Sequence, residues 1–178
     1  ADAKLAVKGK SMVSEEMELN HFLSENGIEA LESDLGEYII QVDHELPSHI
    51  IMPAIHKNRE EISEVFQKKV APAKKSDTAE EMTETARQVL RDKFRRAELG
   101  ISGVNFAVAE TGTLCLVENE GNGRFCTTMP RVHIALMGIE KVVGKLEDLP
   151  PLLTVLTRSA TGQPITTYFN MISSPRQE

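Results

Sequence analysis

Leu5-Ala6-Val7-Lys8-Gly9-Lys10-Ser11-Met12-Val13 decides how this chain folds. Leu5–Lys8 is a short apolar run suited to a strand. Gly9-Lys10-Ser11 interrupts it, and Val13, Met17, Leu19, Phe22 and Leu23 then recur at helical spacing. Asn26-Gly27 supplies a stop, because Gly accepts the left-handed conformation at a helix end. Residues 28–31 read as a second strand. Strand, helix, strand in this order predicts a parallel pair, since parallel strands need a crossover between them.

Further along, residues 34–40 (Asp-Leu-Gly-Glu-Tyr-Ile-Ile) fit either a turn or a helical turn, and Pro47 and Pro53 bracket the apolar piece Ile50-Ile51-Met52. Asn58 and Glu61 stand at capping-box spacing ahead of Ile62, Val65, Phe66 and Val70. Residues 71–77 read as a polar loop. Thr78 and Glu81 make a second box before Met82, Ala86, Val89, Leu90, Phe94 and Ala97, a helix expected to close at Gly100 with a solvated Glu/Arg/Lys face. Residues 107–110 and 113–117, joined by Thr111-Gly112, predict a tight hairpin. Residues 132–137 predict an apolar strand buried on both faces. Pro150-Pro151 suits the first turn of a last helix, with Leu149, Leu152, Leu153 and Leu156 toward the core, and residues 165–169 a final strand. The expectation for residues 1–178 is a single α/β domain, a Rossmann-like, mostly parallel sheet with flanking helices and a β-hairpin.

The 178 residues carry 20 basic and 27 acidic side chains, a net charge of −7, with 4% aromatics and no Trp. That balance argues against nucleic acid as a partner. No apolar run reaches the roughly 18 residues of a membrane helix, so no span is expected. Cys115 and Cys126 stand without a CxxC partner, and the histidines show no HxxxH spacing, so no metal site is expected. The start of the chain has no apolar signal core, which points to a reducing cytoplasm. A chain that opens almost directly on a strand and lacks an initiating Met reads as cut from a longer one.

Three segments carry candidate chemistry. Lys8, Lys10 and Ser11 sit at a strand–helix junction, where open α/β sheets take ligands and where ammonium groups and helix amides could hold an anion. The spacing is not that of a P-loop, and a lysine pair is also commonly just solvated. Glu110, before Thr111 and Gly112, is a carboxylate at the end of an apolar strand. Burial would make it an acid, base or nucleophile, whereas a plain turn would need only the Thr and Gly. Asn119, Gly121, Asn122, Gly123 and Arg124 can form a nest of amides with a guanidinium beside it, or only a flexible loop. His133 and Cys115 read as core residues. Together, Lys8, Lys10, Ser11, Glu110 and residues 119–124 are expected to converge over the carboxyl edge of the sheet and accept a small carboxylate.

Several of these segments together resemble one family. They are residues 7–16, 34–41, 47–50 and 53–57, Asn105-Phe106-Ala107-Val108-Ala109-Glu110-Thr111-Gly112-Thr113, Asn119-Glu120-Gly121-Asn122-Gly123-Arg124, and Arg158-Ser159-Ala160-Thr161-Gly162-Gln163. The family is the LUD domain (lactate utilisation domain, formerly DUF162), and the resemblance runs over about residues 4–169, with the B-type iron–sulfur branch fitting best. It implies a fold like the NagB/RpiA/CoA-transferase group. It also implies a part in oxidising L-lactate to pyruvate with two further lactate-utilisation subunits, LutA-like and LutC-like. Electrons would pass through [4Fe–4S] clusters held C-terminal to the LUD domain, with no cofactor and no cluster ligand in these residues. The chain would then be a core cut at both ends, lacking an N-terminal helical segment and the ferredoxin-like region, and unable to turn over lactate alone. Fold analogy with transferases that use a strand-end glutamate makes Glu110 the catalytic candidate. Two other readings stay open: a small-anion or acyl/phosphate-binding domain of the transferase-like group, and a purely structural docking domain.

Overall fold

The structure, a computed structural model, describes residues 2–49, 51–72 and 78–174. Ile50 and most of the loop expected at 71–77 lie outside the described residues.

Alternation along β1 (Leu5–Lys8) explains its place in the fold. Leu5 and Val7 point to one face of the sheet, Ala6 and Lys8 to the other, and all four are buried. A strand buried on both faces belongs in the interior of a parallel sheet. β1 is flanked by β2 (Glu29–Glu32) and β3 (Leu99–Gly103), with β6 (Val132–Leu136) beyond β3, all parallel in the order β2-β1-β3-β6. On one face Leu5, Val7 and Leu31 pack against Tyr38 of α3 (Leu35–Asp43), Phe94 of α5 (Ala79–Arg96) and Cys126 of α6 (Asn122–Thr128). On the other, Ala6, Leu99 and Ile101 pack against Leu23 of α2 (Leu19–Glu25). Each such buried aliphatic side chain contributes about 1.5–3 kcal/mol.

Both capping boxes form: Asn58 with Glu61 starts α4 (Arg59–Val65), and Thr78 with Glu81 starts α5. The ambiguous stretch at 34–40 is helical. Asp34 accepts hydrogen bonds from the amides of Gly36 and Glu37, which stabilises the first turn of α3.

A second sheet, order β7-β4-β5-β8, packs beside the first. A hairpin forms, as β4 (Phe106–Val108) antiparallel to β5 (Thr113–Glu118), but its turn takes the four residues 109–112 rather than Thr111-Gly112 alone, so Ala109 and Glu110 leave the strand. β7 (Val142–Val143) runs parallel to β4, and β8 (Tyr168–Ile172) antiparallel to β5. Its core holds Val108, Cys115 and Leu149, the last from α7 (Leu149–Thr161).

Several local expectations are corrected. The first helix is two, α1 (Met12–Glu16) and α2, broken where Glu18 takes a left-handed φ of 51°. Its apolar residues do not form one packed side, since Met17 and Phe22 stay exposed while Leu23 is buried. Gly100 does not close α5 but lies within β3. β6 is not buried on both faces: it ends the sheet, and Val132 and Ile134 remain partly exposed. In α7 Leu149 is buried, but Leu152 is exposed. The last strand starts at Tyr168 rather than 165, and the Gly/Asn loop turns into helix at Asn122.

Candidate functional site

In the strand order β2-β1-β3-β6, the chain leaves β1 toward β2 on one side and later returns to β3 on the other. The boundary between β1 and β3 is therefore the switch point where open α/β sheets leave a crevice at their carboxyl edge. A cleft of about 500 Å³ lies there. Gly9, Lys10 and Ser11 after β1, with Gly103 at the end of β3 and Val104 and Asn105 after it, line one part of the cleft, Gly9 being held by its amide donating to the Ile101 carbonyl at 2.8 Å. Glu118 at the end of β5, Asn119, Asn122 and Gly123 form the facing wall, and Lys141 closes one side.

Charge in the cleft is mixed. Lys10 Nζ donates to the carbonyl of Ile51 at 3.2 Å and lies 3.6 Å from Glu37 Oε1. Of the helix N-termini at the cleft, that of α1 is capped by Ser11, and the other two already hold carboxylates of the chain itself. Asp34 caps α3. Glu118 Oε1 accepts from the amide of Arg124 at 3.0 Å and from Asn170 Nδ2 at 2.7 Å, which fills the nest expected at residues 119–124. Glu118 Oε2 is buried and has no donor among the described residues. A ligand that brings both an anionic group and a hydroxyl donor matches this pair of needs, with lysines for the first and Glu118 Oε2 for the second.

Directly behind Lys10 lies a buried charge network. Lys8, only 1% exposed, sends its ammonium to Glu32 Oε1 at 2.9 Å and to Ser14 Oγ at 2.9 Å. Asn20 Nδ2 donates to the same Glu32 oxygen at 2.7 Å. The second oxygens of Glu32 and Glu37 have no donor among the described residues. Burial, and then the charge of Glu32, push the Glu37 carboxyl up to about 8. A proton on Glu37 supplies the donor that the two carboxyls lack between them, while Lys8 and Lys10 oppose its uptake only in part.

This has a measurable consequence. A carboxyl raised from 4.5 to about 8 on folding favours the folded state most below pH 4.5, and that contribution is lost as pH rises through 8. Urea denaturation of the wild type should therefore show stability falling between pH 5 and pH 8 relative to Glu37→Gln, whose amide carries no titratable proton. Parallel pH profiles for the two proteins would remove Glu37 from this role.

The structure brings Lys10, Ser11, Asn119, Asn122 and Gly123 into one cleft and sets the other expected residues apart from it. Lys8 faces away from it, into the buried network and the adjoining pocket floored by Glu32 and Glu37. Gly121 is buried with a φ of 82°, opening α6, and Arg124 turns its guanidinium onto the ring of Tyr168 at 5.2 Å. Glu110, Thr111 and Gly112 form the turn at the opposite end of the β4–β5 hairpin. β5 carries the chain from that turn at Thr113 back to Glu118 at the cleft, about 17 Å at strand rise. Glu110 is exposed, and its amide donates to the Gly144 carbonyl at 3.1 Å. His133 sits as expected of a satisfied residue, with Nε2 2.8 Å from Ser102 Oγ and its imidazole pushed down by burial. The residues that sequence reasoning missed are Glu118 and Lys141. Glu118 reads locally as the polar end of a strand, and nothing local marks Lys141.

The two cysteines do not suit an iron–sulfur cluster. Cys115 and Cys126 are free, fully buried, and in different hydrophobic cores. Burial raises both thiols, that of Cys126 to about 12, whereas cluster ligands are thiolates gathered in fours. Among the described residues no group of three or more His, Cys, Asp or Glu is placed to hold a metal ion, and no helix is long and apolar enough to cross a membrane.

Known proteins agree with the resemblance read from the motifs. Lactate utilization protein B of Bacillus pumilus (strain SAFR-032) is 51% identical over 178 residues, 99% of this chain and 37% of its own length. Lactate utilization protein B of Bacillus thuringiensis (strain Al Hakam) and lactate utilization protein B 2 of Bacillus mycoides (strain KBAB4) are each 53% identical over 176 residues, with the same coverage. The chain thus spans little more than a third of the length of these curated relatives. No solved structure matches it. The model of the LUD domain matches residues 3–178, and the chain belongs to that family.

Proposed function

We propose that this chain is the hydroxy-acid-binding part of a lactate-utilisation protein. It would work in the cytoplasm in an L-lactate-oxidising assembly with LutA-like and LutC-like subunits, any [4Fe–4S] electron path being carried outside these 178 residues. Two supports stand behind this reading: the names of relatives that are 51–53% identical, and the pairing of needs in the cleft. The observation that carries it is the orphaned, buried Glu118 Oε2 of a cleft that Lys10 and Lys141 also line. In the proposed pose, the lactate carboxylate meets the two ammonium groups and its hydroxyl donates to Glu118. Ser11 and the side-chain amides of Asn119 and Asn122 supply further hydrogen bonds.

Calorimetric titration with L-lactate tests it. Lys10→Ala should weaken binding about tenfold, the loss of one charge-assisted hydrogen bond. Acetate, which lacks the hydroxyl, should bind more weakly than lactate to the wild type. Equal affinity of wild type and Lys10→Ala for lactate would overturn the assignment.

A further inference from the structure

On the face of the parallel sheet that α3, α5 and α6 cover, a trough of about 640 Å³ runs between α5 and α6, within the ~300–1,000 Å³ of pockets that hold small ligands. Ala86, Leu90 and Phe94 line it from α5 at i, i+4 and i+8, and Phe125 and Met129 line it from the α6 side. The distance from Ala86 to Phe94 along the helix axis is about 12 Å. Phe94 is buried and its ring lies 5.4 Å from that of Phe125, whereas Phe125 and Met129 keep 46% and 43% of their surface exposed. Among the described residues the trough is therefore an apolar surface open to solvent.

Its wall is cationic. Arg87, Arg91 and Arg95 repeat at the same spacing along α5 and all face the trough. Arg87 lies 3.4 Å from Glu84, but Arg91 and Arg95 have no ion pair or hydrogen bond among the described residues. In a chain of net charge −7, where Lys8, Lys57, Lys69 and Lys93 all find carboxylates, two neighbouring unpaired guanidiniums beside an apolar floor are complementary to a negative charge.

The trough also has a direction. α5 and α6 both run from the carboxyl rim of the sheet to its amino edge, since α5 leads into the start of β3 and α6 into the start of β6. Glu120, the one acidic side chain of the lining, lies ahead of α6 at the rim. Arg91 and Arg95 lie toward the other end.

We propose that this trough is a second binding site, for a small amphipathic anion whose apolar body lies along Leu90, Phe94 and Phe125 and whose carboxylate, sulfonate or phosphate meets Arg91 and Arg95. The planar guanidiniums pair with such groups in two-point fashion, and the aromatic rings accept a flat or extended apolar body. The trough meets the cleft at Glu120 and Asn122, which line both, but its anion end at Arg91 and Arg95 lies apart from the cleft and does not rest on lactate being the ligand there.

Fluorescence titration with anilinonaphthalene sulfonate, followed by displacement with octanoate, tests it on the folded chain, with circular dichroism confirming the fold of each variant. Saturable one-to-one binding displaced by octanoate but not by octylamine is expected. Arg91→Glu with Arg95→Glu should weaken both anions about tenfold or more, while Arg96→Glu, on the same helix but outside the trough, should not. Absence of saturable binding, equal displacement by octylamine, or unchanged affinity in the double variant would overturn the proposal. So would concentration-dependent dimerisation in sedimentation equilibrium that the double variant abolishes, because the trough would then be covered by a second copy of this chain.

Discussion

Lys8→Met should destabilise the folded chain by about 3–5 kcal/mol, the usual consequence of removing one partner from a buried ion pair. Lys8 is only 1% exposed, and its ammonium holds both Glu32 and Ser14. Methionine fills much the same volume but leaves the Glu32 carboxylate, itself 6% exposed, facing Glu37 with no cation in contact. Asn20 would be its remaining donor. The loss is read from urea denaturation at pH 7. Glu32→Gln added to Lys8→Met should recover part of it, because the amide removes the stranded charge, and a double-mutant cycle isolates that coupling. A loss below about 1 kcal/mol would place Lys8 in water rather than in the core.

Gly100→Ala is expected to do more damage than any surface change. A β-carbon at Gly100 would stand 1.8 Å from the carbonyl oxygen of Cys126 and 2.9 Å from its carbonyl carbon, with Pro130 Cγ at 3.1 Å. These obstacles are backbone and a ring, so no side chain can swing aside. α6 would have to lift from β3 and carry Cys126 out of the cluster it shares with Leu5, Val7 and Phe94. The expected loss exceeds about 4 kcal/mol, the range kept for backbone strain and core disruption. Little soluble folded protein should be recovered, and any that is should melt far below the wild type. A melting temperature within a few degrees of wild type would show that the β3–α6 seam is looser than this packing.

The parts of the fold written in neighbouring residues were legible. Strand, turn and helix around Gly9 follow from local apolar spacing, and both capping boxes are complete within four residues. What depends on distant partners was not. β6 looks like an interior strand because Val132, Ile134 and Leu136 are apolar, yet its place at the edge is decided by what pairs beyond it. Glu18 breaks the first helix without a glycine to announce it. The candidate site divides the same way. Lys10, Ser11, Asn119, Asn122 and Gly123 were within reach of the switch-point rule. The burial of Lys8 depends on Glu32, which the parallel pairing of β1 with β2 brings alongside it. Glu118 and Lys141 reach the cleft from the second sheet and its connections, while that sheet's hairpin carries Glu110 to the far end.

The central claim is that a small hydroxy acid is held at the switch point between β1 and β3. Amide chemical-shift mapping during an L-lactate titration reads this directly. Saturable shifts are predicted at Gly9, Lys10, Ser11, Asn105, Asn119, Asn122, Gly123 and Lys141, with the amides of Glu110 to Gly112 unmoved. Shifts centred on Glu110 to Gly112, or none that saturate, would contradict it.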